Sequence, residues 1–283
     1  MLAAQRRGRI LAELSRDGTV RVTDLVELLG VSDMTVRRDL VALHRDGLLE
    51  KVHGGALAVA EPSSSEPGFA AKSVQRRNEK EAIAAAAAEL VHTGMAIAVS
   101  AGTTTHALTE HIARVPHLTV VTNSVWVADV LHRTGDATTS VLLTGGLRTP
   151  SDALVGPVAV SSLRSLHVDA FFMGVHGMDV RAGFSTPNLL ESETNRAMIE
   201  RSRRLIVLAD SSKWGVVGLS SMAALSEAAV LVTDSGLSAH ASGALADHVG
   251  ELVVVDPADG DDLDSPRPGS ARPDTDDLGA GHA

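Results

Sequence analysis

Residues 19–59 constrain the fold of this chain more than any other stretch: TVRVTDLVELLGVSDMTVRRDLVALHRDGLLEKVHGGALAV. Their spacing predicts a helix, a tight turn, a second helix and a two-stranded wing. Such an arrangement presents one helix to the major groove of DNA. In the first element Leu25, Leu28 and Leu29 recur at helical intervals, with Thr23 as the expected N-cap. Gly30 ends it, being free to take positive φ. Val31 is the apolar turn residue, Ser32 caps the next helix, and Asp33 lies in its first turn. The joint is short and contains glycine, as helix-turn-helix joints do.

The second helix can be oriented from its own residues. Val36, Leu40 and Leu43 follow i, i+4, i+7 and define a buried stripe. At about 100° per residue, Met34, Arg38 and Arg45 point away from that stripe, flanked by Thr35, Arg37 and Val41. Arginine can bind guanine edges bidentately, and Met or Val can touch a thymine methyl. After Gly47, Leu48–Val52 and Ala56–Val59 bracket His53-Gly54-Gly55 as a short hairpin with a glycine-rich turn. Lys51 and His53 are expected beside a phosphate backbone. The expected DNA contacts are therefore Ser32, Met34, Thr35, Arg37, Arg38, Arg45, Lys51 and His53. The plainer alternative is a small helical domain with a solvated basic helix. Helix, turn, helix and wing in that order favour DNA.

With those residues in view, positions 5–57 resemble the N-terminal DNA-binding domain of the DeoR family of bacterial transcriptional regulators. The resemblance rests on Arg7-Gly8-Arg9-Ile10-Leu11, on Val31-Ser32-Asp33-Met34-Thr35-Val36-Arg37-Arg38-Asp39-Leu40, and on His53-Gly54-Gly55-Ala56. Within it, the run S-x-x-T-V-R-R-D-L is the specific part.

A formal charge of −10 over 283 residues is unusual for a DNA-binding protein until it is divided. Residues 1–56 hold nine Lys+Arg and eight Asp+Glu, against 16 and 27 in the rest. The acidity lies outside the DNA-binding segment. Even so, a local excess of one positive charge implies modest nonspecific affinity and makes paired half-sites, and so a homodimer or homotetramer, more necessary. There is no cysteine, hence no disulfide framework and no thiolate zinc site; neither a cofactor nor a metal is expected. The N-terminus lacks an apolar leader core, and no run approaches a membrane span. These features point to a cytoplasmic protein with no membrane partner. Aromatic residues are 2% of the chain, too few for the stacking platforms of a single-strand binder.

The domain organisation follows from composition. A winged helix-turn-helix domain over 1–59 is followed by a linker over 60–74 containing Pro62, three consecutive serines, Pro67 and Gly68. An α/β domain spans 75–256. A tail rich in Asp, Pro and Gly, expected to be disordered, occupies 257–283.

In the α/β domain a strand, a polar or glycine loop and a helix repeat. The expected strands are Met95–Val99, Leu118–Val121, Val141–Leu143, Ala170–Met173, Leu205–Leu208, Ala229–Val232 and Leu252–Val255. They are continuous apolar runs, as in a mostly parallel sheet buried on both faces. Ligands of such sheets bind outside the carboxyl ends of the strands. Gly102-Thr103-Thr104-Thr105 lies at one such end and opens a helix. Free N–H groups of a first helical turn, the helix dipole and three hydroxyls suit a phosphate; an ordinary helix start is the alternative. Neither of the two common nucleotide-binding glycine motifs is present.

Lys213 sharpens that reading. Of 25 basic residues only Lys51, Lys72, Lys80 and Lys213 are lysines. A lone lysine in an Asp-Ser-Ser-Lys-Trp loop after a strand fits a compact phosphate contact, or else a solvated surface position.

This domain also resembles, over roughly 72–235, the DeoR-family sensor, which is similar to ribose-5-phosphate isomerase. The matching residues are Arg76-Arg77-Asn78-Glu79-Lys80, Gly102-Thr103-Thr104, Thr122-Asn123-Ser124, Gly145-Gly146, Gly183-Phe184-Ser185-Thr186, Arg196-Ala197-Met198 and Asp210-Ser211-Ser212-Lys213. The resemblance implies a phosphorylated sugar or related metabolite as effector. It places Gly102, Thr103, Thr104 and Lys213 on the phosphate and has Asn123 and Gly146 line the pocket. One position departs from the pattern: Ser100 stands where the family usually has Asp.

The expected protein is thus a metabolite-responsive repressor of carbohydrate-metabolism genes acting on double-stranded operator DNA, without enzymatic activity. Two alternatives stand beside it. One is an isomerase-like enzyme with an appended DNA-binding domain, using Asp210, Glu191 or Glu193 as base. The other is a constitutive DNA binder with a vestigial sensor.

Overall fold

A computed structural model describes residues 3–17, 19–45, 48–52, 54–57 and 68–257. The first domain comprises α1 (Ala3–Asp17), β1 (Thr19–Arg21), α2 (Val22–Leu29), α3 (Asp33–Arg45), β2 (Glu50–Val52) and β3 (Gly55–Leu57). Its core is Ile10 and Leu14 from α1, Leu25 and Leu29 from α2, and Val36, Leu40 and Leu43 from α3. The predicted stripe on α3 is therefore the buried one. In α2 the stripe differs: Val22, Leu25 and Leu29 are buried, and Leu28 is 42% exposed. Nor does Thr23 cap this helix. Helix α2 starts two residues earlier with Arg21 as an uncapped N-cap, and the Thr23 hydroxyl bonds Asp24 instead. Gly30 ends α2 at φ 63°, as its position requires.

The wing has three strands, in order β1-β3-β2, all antiparallel. Glycine at 55 is required: a Cβ there would sit 2.1 Å from the Val20 carbonyl oxygen. His53, expected at the wing tip, lies outside the described residues, as does the tail beyond 257.

The second domain runs α4 (Phe69–Ser73), α5 (Arg77–Ala88), β4 (Ala96–Val99), α6 (Thr103–Ile112), β5 (Thr119–Thr122), α7 (Val125–Thr134), β6 (Ser140–Leu143), β7 (Leu147–Arg148), β8 (Leu154–Val155) and α8 (Pro157–Leu163). It continues through β9 (Ala170–Gly174), β10 (Gly177–Asp179), β11 (Gly183–Thr186), α9 (Leu189–Glu200), β12 (Leu205–Leu208), β13 (Ser220–Ala223), β14 (Ala228–Asp234), α10 (Ala239–Ala246) and β15 (Leu252–Val255). A seven-stranded parallel sheet in order β15-β14-β12-β9-β4-β5-β6 forms the centre.

Alternate strand residues face two apolar layers. Ile97, Val99, Phe172 and Leu208 pack against α5, α6 and α7, with Ala84 and Ala87 of α5 keeping that helix close. Ala98, Phe171, Met173 and Val207 pack on the other side against residues of α9, α10 and the small antiparallel sheet β10-β11-β13. Burial on both faces explains why these strands carry no polar alternation. The stretch 69–73, within the expected linker, is helical: Phe69 stacks on Trp126 and meets His106 edge-on, both at 5.5 Å.

Candidate DNA interface and candidate effector pocket

Helix α3 presents Met34 at 67% and Val41 at 48% exposure on the face opposite its core stripe. Arg37, Arg38 and Arg45 are exposed on the same side. Ser32 caps the helix, its Oγ accepting from Thr35 N at 3.4 Å and sharing a 2.9 Å hydrogen bond with Thr35 Oγ1. The arginines are not equivalent. Arg37 grips Asp33 one turn back, Nε to Oδ1 at 2.5 Å and Nη2 to Oδ2 at 3.2 Å. Arg38 has no partner among the described residues. Lys51 is exposed on β2.

Asp39, inside the same signature run, faces the other way. It is 2% exposed and accepts hydrogen bonds from Arg6 and Arg7 of α1, the latter at 3.1 Å. Burial pushes its carboxyl up, and the two guanidinium groups outweigh that to hold it below the usual carboxylate range. It locks α1 to α3. A signature alone does not separate a DNA contact from such an internal tie.

The second site lies at the carboxyl ends of β4, β9 and β12. Gly102, the N-cap of α6, has φ 153° and no side chain to cap the helix. The first-turn N–H groups of α6 have no intrahelical acceptor and remain for a ligand. Gly102, Thr103 and Thr104 line a cleft of about 80 Å³ together with Lys213. Lys213 Nζ stands 4.0 Å from Asp210 Oδ2. Asp210 is buried and caps the short turn carrying that lysine, its Oδ1 accepting from Ser212 N at 3.1 Å and from the Ser212 hydroxyl.

Three expected effector contacts stand behind the cleft. Thr105 is fully buried and returns its hydroxyl to Gly102 O at 3.0 Å. Asn123 is fully buried and holds Ala101 N through Oδ1 at 2.9 Å, so it shapes the loop from behind. Gly146 is outside the lining as well: a Cβ there would meet Val155 O at 2.5 Å, so its glycine serves the passage of β7 over β8. Ser100, which replaces the family's Asp, is buried; it accepts from Gly174 N at 3.0 Å and donates to Ala101 O at 3.2 Å. It pins the loop to β9.

Other lining residues escaped the sequence reading. Phe69, Lys72, Gln75 and Arg76 form one wall, from the segment expected to be linker and the turn after it. Arg76 has a left-handed backbone, φ 52°, and pairs with Glu79 at 3.0 Å. Lys80 completes the wall; it is 6% exposed and donates to Lys72 O at 2.5 Å and Gln75 O at 2.7 Å. Burial drives its ammonium down to about 8, the like charges of Lys213 and Lys72 add to the fall, and Asp210 and Glu79 oppose it. Three of the chain's four lysines thus meet at one cleft. The scarcity that marked Lys213 applied equally to Lys72 and Lys80.

Among the described residues there is no group of three or more His, Cys, Asp or Glu placed for a metal ion, and no helix long and apolar enough to cross a membrane.

Comparison with known proteins agrees with this architecture. The DeoR-like helix-turn-helix domain matches residues 6–61, and the DeoR C-terminal sensor domain matches residues 75–235. The chain is 36% identical over 256 residues to the uncharacterized HTH-type transcriptional regulator YulB of Bacillus subtilis, covering 90% of this chain and 98% of that protein. It is 33% identical over 254 residues to a putative aga operon transcriptional repressor of Escherichia coli O157:H7, covering 89% and 94%. A GlpR regulator of Haloferax volcanii is 36% identical over 240 residues, covering 84% and 92%. Among solved structures, ribose-5-phosphate isomerase A of Neisseria gonorrhoeae matches 48% of this chain and 52% of its own at TM-score 0.36 and 14% identity, too distant to bear on function. The chain belongs to the DeoR family of helix-turn-helix transcriptional regulators.

Proposed function

We propose that this protein represses carbohydrate-metabolism genes and that a phosphorylated sugar or related metabolite relieves the repression. The exposed face of α3, with Arg38 foremost, reads operator bases, and Lys51 of the wing meets phosphate. Two copies or more read paired half-sites. The relative named as a putative aga operon repressor supports repression as the mode of action.

The observation that carries the effector assignment is the convergence of a glycine-capped helix N-terminus and three scarce lysines on one cleft. Thr103, Thr104 and Lys213 hold the phosphoryl group. At about 80 Å³ the cleft is smaller than ordinary ligand pockets of about 300 Å³ or more, and the phosphoryl group alone fills much of it. The sugar therefore presses on the wall built from α4 and the turn after it. That wall leads directly into the connection to the DNA-binding domain. A ligand that needs α4 displaced favours a second conformation, and a coupling of about 1–3 kcal/mol is enough to shift DNA affinity.

Binding without catalysis is the better reading of the acidic groups. Asp210 is engaged in capping, Glu191 Oε2 accepts from Thr186 Oγ1 at 2.7 Å, and Glu193 is exposed outside the cleft. None is placed as a free base. Thermal unfolding in the presence of sugar phosphates, inorganic phosphate and unphosphorylated sugars tests the proposal. The phosphorylated compounds should raise the midpoint and inorganic phosphate should compete with them. Stabilisation by unphosphorylated sugars alone would refute a phosphate site, and turnover of any compound would refute the binding-only reading.

A further inference from the structure

We infer that Lys80 is itself an anion contact of the effector cleft, and that through the Lys72 and Gln75 carbonyls it joins the bound anion to the helix leading toward the DNA-binding domain. The inference rests on the reading of the cleft as an anion site. Nothing in the motif pattern assigns Lys80 this role.

The geometry gives the reason. An ammonium has three N–H donors. Two of Lys80's go to backbone carbonyls, Lys72 O at 2.5 Å and Gln75 O at 2.7 Å. The residue is 6% exposed, yet it lines the cleft beside Lys213 and Asp210. A buried lysine carries a large desolvation cost unless a counter-charge meets it. Asp210 and Glu79 offset part of that cost, but both are shared: Asp210 caps the Lys213 turn and stands 4.0 Å from Lys213, and Glu79 pairs with Arg76. The neighbouring cations Lys72 and Lys213 make matters worse. An anion in the cleft supplies the missing charge and the acceptor for the third donor.

The backbone beside it supports a coupling role. Lys80 holds both ends of the turn between α4 and α5. That turn contains Arg76 in a left-handed conformation, which costs a non-glycine residue energy and persists only where its surroundings enforce it. Drawing the ammonium toward a ligand weakens the hold on Lys72 O and Gln75 O. The turn and α4 are then the first elements to respond.

Proton linkage gives a signature that a purely structural tether lacks. Without ligand the Lys80 ammonium titrates at about 8. A bound anion raises that value. Below about pH 8 the charged form is already present and affinity is at its fullest. Above it the free protein is neutral at Lys80 and takes up a proton on binding, so affinity falls by up to tenfold per pH unit. Lys72, Arg76, Glu79, Glu191, Asp210, Lys213 and His176 also face the cleft or this lysine. A comparison of proteins that differ at one lysine removes their shared contribution.

The probe is sulfate, added to the full-length protein between pH 7 and 9.5 and followed by intrinsic fluorescence. The chain's two tryptophans report on it: Trp214 adjoins Lys213, and Trp126 stacks on Phe69. Wild type should lose sulfate affinity above pH 8, and calorimetry at pH 8.5 in buffers of different ionisation heat should show proton uptake. Lys80→Arg, charged throughout, should flatten the pH profile, whereas Lys213→Arg should keep it. The calorimetric arm needs only wild type and survives a variant that fails to fold. Sulfate binding to wild type with no proton uptake, or equal pH profiles in wild type and a folded Lys80→Arg, overturns the role of Lys80. No saturable sulfate binding at any pH would instead overturn the anion-site reading on which it rests.

Discussion

At the scale of single residues, neighbouring side chains with the same chemistry do different work. Arg37 and Arg38 are adjacent in sequence, but Arg37 is closed onto Asp33 and Arg38 is open. An exposed i, i+4 pair of this kind contributes little to stability, and breaking it on DNA costs little. Arg38 is therefore the stronger candidate for a base contact. Arg38→Ala should lose about 1–3 kcal/mol of operator binding while leaving nonspecific binding nearly unchanged. Lys51→Ala should weaken all sequences alike and lower the salt slope by about one. Titrations of operator and scrambled duplex at several salt concentrations separate the two; identical behaviour would remove Arg38 from base reading. The lysines teach the same lesson from the other side. Composition alone marked Lys213, but the fold was needed to bring Lys72 and Lys80 to it from a segment well over a hundred positions away.

At the scale of elements, the small helix α4 is the part with most consequence. It is clamped to the sensor by the Phe69–Trp126 stack and by His106, whose imidazole burial holds below its ordinary range. Phe69→Ala should loosen that clamp. The expected outcome is a change in effector response, by DNA titration, at least fivefold larger than any change in effector affinity, by thermal shift. An unchanged response would remove α4 from the coupling path. Sequence pattern found the seven central strands because each is a largely apolar run, buried on two faces in the inner strands though not at the edges β6 and β15. It missed β1, β7, β8 and the small sheet β10-β11-β13, whose strands have two to four residues and little room for periodicity. It also missed α4, because Pro62, Pro67 and Gly68 read as linker and the apolar pairing of Phe69 with Trp126 is invisible before folding. Asn123, Thr105 and Gly146 lie in or just after the loops that follow strands, and pattern cannot tell the lining of a cleft from the layer behind it.

At the scale of the whole molecule, the charge is partitioned. The DNA-reading segment is nearly neutral and the remainder is acidic. Such a charge balance implies weak long-range attraction to DNA, and on the proposed function specificity would depend on paired sites and base contacts more than on a basic surface. The same economy leaves an effector room to act, since a modest coupling suffices to release a modestly bound protein. The decisive measurement is binding of the full chain to DNA upstream of its own and neighbouring genes, with and without a panel of sugar phosphates, for wild type and Lys213→Met. The account predicts that one compound weakens wild-type binding by about 5- to 150-fold. It predicts that Lys213→Met binds the same DNA as tightly without metabolite and no longer responds. Release of the Lys213→Met protein at the wild-type metabolite concentration would contradict the account.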